Sequence, residues 1–429
     1  MMTEKDTEVF NIGKCEINST LDIPQFIPEG ERVILDIEYK RIADAFQKEG
    51  KALSLENAGP RKKIFFDPHK TKAAIVTCGG LCPGLNNVIK SLVNQLHNYG
   101  VKTIYGIPYG YEGLVSSYNH EFIELNPNNV RDIHTKGGTI LGSSRGKQDP
   151  LEMLDTLVKN DISVLFTIGG DGTLRGQLTI FEEIKKRGLK IATVGVPKTI
   201  DNDIRFVDKT FGFETAVSFA TMTLQGAHAE ATGARNGIGL VKVMGRDSGF
   251  IAAYASLASN VVDYVLIPEV DFQLDGERGL LNRLHQTLQK NKHAVILVAE
   301  GAGQKFFEDK KEFDASGNIK YGDIGLFLKD KITTYFKEIN FHTNLKYIDP
   351  SYVIRSMPAS PDDAVFCIML AQNAVHGAMA GKTGVLVGRW NSYFTFIPIK
   401  LAIEKRKTID PKGYLWSIVK EATAQPDLF

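Results

Sequence analysis

No run of 18 apolar residues occurs anywhere in the 429-residue chain, which excludes a membrane-spanning helix. The opening Met1-Met2-Thr3-Glu4-Lys5-Asp6 lacks the apolar core of a secretory signal. Charge of one sign is missing as well: 51 basic and 50 acidic residues leave a formal +1, no footprint for nucleic acid or an anionic membrane surface. Such balance still allows a local basic pocket. Cysteine is scarce, and four residues in a chain this long make no disulfide framework. Cys78 and Cys82 straddle a Gly-Gly-Leu turn with no Cys or His at zinc spacing, so ordinary reduced thiols and a cytoplasmic setting are expected. No internal repeat and no low-complexity segment stands out. The glycine-rich loops contain no strand–helix G-x-G-x-x-G phrase, which argues against a dinucleotide-dependent oxidoreductase.

What is present is a 43% hydrophobic composition over a length that suits two domains or one two-lobed unit. Residues 1–70 are irregular, interrupted by Pro24, Pro28, Pro60 and Pro68, and read as an extension laid on the core. From Ala73 the pattern is regular. Apolar runs predict strands near 73–77, 103–107, 163–168, 191–196, 238–244, 263–267, 294–299 and 384–388. Helical spacing predicts helices from Leu85 to about Gly100 and over 151–159, 177–187, 214–229, 277–290 and 363–380. Strands alternating with helices imply an α/β fold: two Rossmann-like lobes with mainly parallel sheets covered by helices, plus the N-terminal extension. Residues 304–326, polar and glycine-containing, read as an excursion from that fold.

The glycine-rich phrases fall where strands end, and ligands of parallel sheets bind at those carboxyl ends. Thr77-Cys78-Gly79-Gly80-Leu81-Cys82-Pro83-Gly84 reads equally as a phosphate cradle or as a tight turn needing positive φ. The loop Gly137–Gly146 repeats the recipe and adds Arg145, a cation able to span donor and acceptor phosphates. In Thr167-Ile168-Gly169-Gly170-Asp171-Gly172-Thr173, glycines allow close backbone approach to a polyphosphate and Asp171 is placed to hold magnesium on it. The bland reading is a turn with an acidic helix cap. Pro197-Lys198-Thr199-Ile200-Asp201-Asn202-Asp203 offers a cation, a hydroxyl and two carboxylates, one of them to take a proton from an attacking hydroxyl. Lys242-Val243-Met244-Gly245-Arg246 ends another strand, with Arg246 suited to a sugar phosphate. Glu300 reads by itself as a rim carboxylate and, beside these phrases, as a partner for sugar hydroxyls. Arg355, in Tyr347-Ile348-Asp349-Pro350-Ser351-Tyr352-Val353-Ile354-Arg355, adds a further phosphate cation. Together the phrases predict phosphoryl transfer to a hydroxyl.

In this order the phrases resemble the phosphofructokinase family over roughly residues 60 to 400, most of all its long-chain branch of plant and trypanosome ATP-dependent enzymes. The resemblance implies transfer of the γ-phosphoryl of ATP to the 1-hydroxyl of fructose 6-phosphate, with Mg2+ as cofactor. It implies Asp201 as base with Asp203 beside it, Lys198, Thr199 and Arg145 as further catalytic groups, and Asp171 as metal ligand. Gly79, Gly80, Tyr111, Gly170, Gly172, Thr173 and Gly176 would line the donor site with Arg145 and Asp171. Thr199, Asp201, Met244, Gly245, Arg246, Glu300, Lys346, Tyr352 and Arg355 would bind fructose 6-phosphate. The organisation expected is a donor domain from 71–211 and 354–404, a sugar-phosphate domain at 212–353 and a tail at 405–429. A homo-oligomer is implied, a tetramer ahead of a dimer, with no nucleic acid or membrane as partner.

Two departures from the short bacterial members concern the sugar site. Tyr352 stands where they have His, and Gly237 stands where they contribute an arginine across subunits. The donor markers conflict: Gly172 matches ATP users, while Lys198 matches pyrophosphate users. An Asp at 172 would fill and charge the space near the α-phosphate, whereas Lys198 excludes nothing, so ATP is expected. The rival readings are a lipid or NAD kinase, which share only Gly-Gly-Asp-Gly-Thr, and a non-catalytic regulatory subunit of the same fold.

Overall fold

Near-continuous apolar runs become strands buried on both faces, the signature of a parallel sheet covered by helices. The computed structural model describes residues 2–310, 312–313 and 319–428. In chain order, the strands of its two main sheets are β1 (Arg32–Ile34), β2 (Ser54–Asn57), β3 (Lys72–Thr77), β4 (Thr103–Ile107), β5 (Ile123–Glu124), β6 (Val164–Gly169) and β7 (Ala192–Pro197). They continue as β8 (Gly237–Val243), β9 (Tyr264–Leu266), β10 (His293–Ala299), β11 (Asn344–Ile348), β12 (Val385–Trp390) and β13 (Tyr393–Pro398).

The chain divides into two compact units. The first, Met1–Thr199 with Ile204–Gly212 and Ser356–Arg406, holds a nine-stranded sheet ordered β1-β2-β13-β12-β7-β6-β3-β4-β5. The five strands from β12 to β4 are parallel, and the flanking pairs are antiparallel. Ile75, Phe166 and Val194 in its centre are fully buried, and each such side chain contributes about 1.5–3 kcal/mol relative to exposure. Chain order reverses between β3 and β6. From β3 the chain crosses through helix Leu85–Tyr99 to β4 on one side; from β6 it crosses through helix Asp171–Lys186 to β7 on the other. Ligands of open α/β sheets bind at such a switch point, and loops 78–84 and 169–171 leave the two strands there.

The second unit, Ile200–Asp203 with Phe213–Arg355 and Lys407–Phe429, holds a four-stranded parallel sheet ordered β9-β10-β8-β11. Its core packs Leu240, Leu266, Leu284, Ile296 and Phe336 around those strands.

Three regions add to the sequence reading. The first is the extension, which contributes two edge strands to the sheet: β1 pairs antiparallel with β2, and β2 with β13. They meet an unpredicted hairpin whose tip, Asn391-Ser392, takes φ of 49° and 70°, as a two-residue type I′ turn demands. The second is 407–429, which groups with the second unit: helix Tyr414–Thr423 buries Trp416 and Val419. There Gln425 accepts from the Val265 N–H at 2.6 Å, supplying a partner to the edge strand β9. In the third, 304–326, a 3-10 segment spans Gln304–Lys310 and a two-residue pairing joins Glu312–Phe313 to Ile319–Lys320. Positions 311 and 314–318 of the expected excursion lie outside the described residues.

Candidate active site

In the first unit the glycine-rich loops converge at the carboxyl ends of β3, β6 and β7. The predicted helix 177–187 begins six residues earlier, at Asp171, with Gly170 in extended conformation as its N-cap. An acid in the first turn is favoured by the helix dipole, so Gly-Gly-Asp-Gly-Thr is a helix start rather than a loop. The free N–H groups of that first turn are a ready anion site. Gly172 sits in the turn with open space where a Cβ would stand.

The turn after β3 meets the same place. Gly79 takes φ +84°, and its N–H donates to the Ser144 carbonyl at 3.1 Å while Ser143 Oγ donates to the Gly79 carbonyl. A side chain at Gly80 would come within 3.3 Å of Arg145 Nη2, so glycine leaves the guanidinium its room. Arg145 is exposed and has no ion pair among the described residues. Lys198, buried, donates from Nζ to the Gly80 carbonyl at 2.6 Å, and its own N–H donates to the Gly169 carbonyl at 2.9 Å. Backbone N–H groups and two cations thus share one cradle, the equipment needed to hold a polyphosphate. For the first phrase, the turn needing positive φ is present at Gly79 and Gly84.

Asp171 is partly exposed and pairs with Arg175 Nε at 2.9 Å, while Arg175 Nη2 donates to the Ile403 carbonyl. Tyr111 is set differently from the expectation. Its ring is buried, its hydroxyl donates to the Thr173 carbonyl at 2.7 Å, and it packs against Gly176. It supports the helix start from below instead of presenting a surface to a ligand. Cys78 lies in this core too, and burial pushes its thiol up to about 12, which leaves it inert as a nucleophile.

The second unit holds the carboxylate loop. The unit boundary falls within the Pro197–Asp203 phrase, after Thr199. The turn following β8 clamps Asp201: the Arg246 N–H donates to Asp201 Oδ2 at 3.2 Å, and Ser248 Oγ donates to the Asp201 carbonyl at 3.0 Å. Burial first, then the charges of Asp203 and Glu300, push the Asp201 carboxyl up from 3.8 to about 7. The Arg246 N–H and the Arg355 charge pull the other way and lose. Asp203 is buried, and Asn202 between the two acids adopts the left-handed conformation that Asn tolerates, φ 55°.

Met244 is fully buried beneath this turn, and Gly245, at φ +127°, leaves its carbonyl to accept from the Gly301 N–H at 3.0 Å. That bond joins the loop to the Glu300 segment at the end of β10. The Arg246 guanidinium lies 4.4 Å from the Tyr321 ring centroid, and the Tyr321 hydroxyl donates to Asp247 Oδ1 at 2.9 Å. Arg355 closes the short helix Ser351–Arg355, whose start is fixed by Asp349 accepting from Ser351 N and Oγ. Lys242 bridges Asp323 and Asp349 at 3.1 and 3.0 Å and so braces the same segment.

Two expected sugar-site residues are exposed. Tyr352 is 82% exposed. Lys346 is exposed on the outer strand β11, opposite Gly239. That register places it roughly 13 Å upstream of the carboxyl end of β8, so within this chain it does not join the loop cluster.

Sequence reading missed Glu269, whose Oε1 accepts from both Gly249 N and Ile409 N and so fixes the far end of the Arg246 turn. It missed Tyr321 and Lys242 as well. These groups act through partners distant in the chain, and only Lys242 stands in a quoted phrase, where it was given no role. Asn86, inside a quoted phrase, ties loop 136–140 by accepting from Ile140 N and donating to the Lys136 carbonyl.

Comparison with known proteins follows the same lines. The family model described as Phosphofructokinase matches residues 72–378. The chain is 52% identical to an ATP-dependent 6-phosphofructokinase of Borreliella burgdorferi, over 98% of this chain and 97% of that one. It is 49% identical to ATP-dependent 6-phosphofructokinase 5, chloroplastic, of Arabidopsis thaliana, over 87% of this chain and 69% of the relative. It is 46% identical to an ATP-dependent 6-phosphofructokinase of Trypanosoma brucei brucei, over 86% and 76%. Among solved structures, a pyrophosphate-dependent phosphofructokinase of Marinobacter aquaeolei superposes with a TM-score of 0.67. It covers 84% of this chain and 93% of that one at 21% identity, a likeness of fold.

Proposed function

The chain belongs to the phosphofructokinase family, and from that premise we propose that it moves the γ-phosphoryl of ATP to the 1-hydroxyl of fructose 6-phosphate. The products are ADP and fructose 1,6-bisphosphate. We place this phosphotransfer to an alcohol in glycolysis. The observation that carries the reading is Asp201, a clamped carboxylate whose proton affinity sits near neutrality, three residues along the chain from the cradle lysine Lys198.

On the donor side, Lys198 and Arg145 offset charge on the phosphoryl oxygens, and the N–H groups around Gly79, Gly80 and Gly170–Thr173 hold the polyphosphate. On the acceptor side, Asp201 takes the 1-hydroxyl proton as the sugar oxygen forms its bond to phosphorus and the bond from phosphorus to the ADP oxygen breaks. Asp203 keeps the proton affinity of Asp201 high, Arg246 and Arg355 hold the sugar phosphate, and Glu300 accepts from sugar hydroxyls. Among the described residues no cluster of three or more His, Cys, Asp or Glu side chains forms a metal cage. Magnesium binds through one or two carboxylates plus phosphate oxygens, and Asp171, partly exposed in the first turn of its helix, is the residue that would hold it. When bound, the ion would offset the negative charge on the phosphates. We assign the enzyme to the cytoplasm and to a homo-oligomer, a tetramer ahead of a dimer.

Lys198 favours pyrophosphate as a second reading, and steady-state kinetics with each donor separates the two. Turnover is expected with magnesium–ATP and not with magnesium–pyrophosphate. Activity with pyrophosphate alone overturns the donor, and none with either, in the purified chain, supports a regulatory subunit.

The pH dependence follows from Asp201. Only its ionised form accepts the proton, so kcat/KM falls as pH drops below about 7 and levels off above it. Asp203→Asn removes one of the charges that raise Asp201, and the acid limb moves to lower pH. A limb that stays in place in this variant contradicts the pairing. Stability has the opposite sign. The folded chain holds this proton more tightly than the unfolded one, so the contribution of Asp201 is full below about 3.8 and lost as pH rises through about 7.

A further inference from the structure

A cavity of about 600 Å³ opens in the first unit between the N-terminal extension and the start of the sheet. It lies at the opposite end of the strands from the donor loops. Lys382, in its wall, precedes Thr383, whose hydroxyl accepts from the N–H of Thr193 at the amino end of β7. The length of β7, roughly 20 Å, therefore separates it from Lys198. Nothing in the phosphotransfer reaction uses it.

Its lining is strongly biased in charge. Lys14, Arg61, Lys62, Lys63 and Lys382 face one acid, Glu29. Two of these cations are deeply placed, Arg61 and Lys382 each being 2% exposed. Burying a cation is costly without a counter-charge. Glu56, itself buried, supplies one to both, 3.1 Å from Arg61 Nη2 and 2.7 Å from Lys382 Nζ. The second comes from Glu29, whose side chain is 59% exposed. Its carboxylate reaches in to 3.4 Å from Arg61 Nε and 3.2 Å from Lys382 Nζ. At Arg61 Nε the geometry is a charge contact only. That N–H is buried and makes no hydrogen bond among the described residues. Phe26, Ile27 and Pro28 add an apolar part to the lining.

We propose that this cavity binds a small phosphate monoester carrying a flat apolar group, with the phosphate displacing the Glu29 carboxylate. A phosphate oxygen accepts from Arg61 Nε and Lys382 Nζ, a stronger arrangement than the carboxylate now makes there. Lys62 and Lys63, both exposed at the rim, add charge. The apolar group lies against Phe26, Ile27 and Pro28, as in pockets of this size that pair an apolar lining with a few fixed polar groups.

Phenyl phosphate is the probe. Titrated calorimetrically into the full chain with a non-hydrolysable ATP analogue and fructose 6-phosphate present, it binds at one site per chain. Glu29→Gln removes the internal competitor and tightens binding several-fold. The double variant Lys62→Ala, Lys63→Ala weakens it by about tenfold or more. Inorganic phosphate binds about tenfold more weakly, and phenol does not bind. All three altered side chains are exposed, so the fold is kept. Phenyl phosphate also slows maleimide labelling of Cys15, which lines the cavity, while the other three cysteines are buried. Absence of binding, loss of binding to the nucleotide analogue, equal affinity for inorganic phosphate, indifference to both variants, or unprotected Cys15 each overturns the site.

Discussion

Asn in place of Asp201 lowers kcat by about 10²–10⁴-fold, the range lost with a general base, and leaves fructose 6-phosphate binding nearly unchanged. The substitution is close to isosteric. The Arg246 N–H keeps an oxygen to donate to, and Ser248 Oγ keeps the backbone carbonyl of residue 201. What disappears is the site that accepts a proton. Removing a carboxylate from beside Asp203 and Glu300 also relieves the repulsion that raises its proton affinity, so the variant is at least as heat-stable as the parent near pH 8. Thermal unfolding at that pH separates lost chemistry from lost fold. Near-normal turnover in a stable Asn variant removes Asp201 from the base role.

The second large effect is expected at Gly172. Gly172→Asp puts a carboxylate into the first turn of helix Asp171–Lys186, where a Cβ meets no atom within 4 Å. The protein accommodates the change, and an acid in a first helical turn is if anything stabilising. The cost falls on the nucleotide, whose phosphates meet a like charge at the N–H groups meant to hold them. Like-charge contact of this kind costs several kcal/mol; about 2–3 kcal/mol corresponds to a loss of about 30- to 150-fold in kcat/KM for ATP. The KM for fructose 6-phosphate stays within a few-fold, because Arg246 and Arg355 belong to a separate part of the chain. Unaltered ATP kinetics contradict the steric role of Gly172. A gain of pyrophosphate-driven turnover in the same variant shows that this one position biases donor choice.

Both experiments rest on residues that the sequence already marks. Asp201 and Gly172 stand at strand ends, in strings where glycines, cations and acids alternate within a few positions. That density has no use in a core, so it is visible without coordinates. The supports are a different matter. Glu269 holds a turn twenty residues away from it in the chain, Lys242 joins two acids from other elements, and Tyr321 stacks on Arg246 from a segment that reads as an excursion. Each is an ordinary residue until its partners are known. Tyr111 shows the converse error. Its place in a glycine-rich phrase suggests a ligand contact, yet burial and the bond to Thr173 make it a prop.

The same division runs through the fold. The strand cores of β3, β4, β6 to β10 and β12 and most helices are legible because a parallel sheet buried on both faces writes long apolar runs, and helices write a 3.6-residue period. Edge pairing writes neither. β1 and β2 are short and mixed in polarity, and β2 pairs with β13 from far away in the chain, so the extension reads as irregular although it completes the sheet. By itself the sequence determined the fold class, the family and the chemical inventory of the loops, since these depend on residue type and spacing along the chain. Only the tertiary structure decided the proton affinity of Asp201, the freedom at Gly172 and the cationic cavity beside Arg61. Those are set by desolvation and by charges brought close from distant positions, and Coulomb energy depends on distance in space rather than separation along the chain.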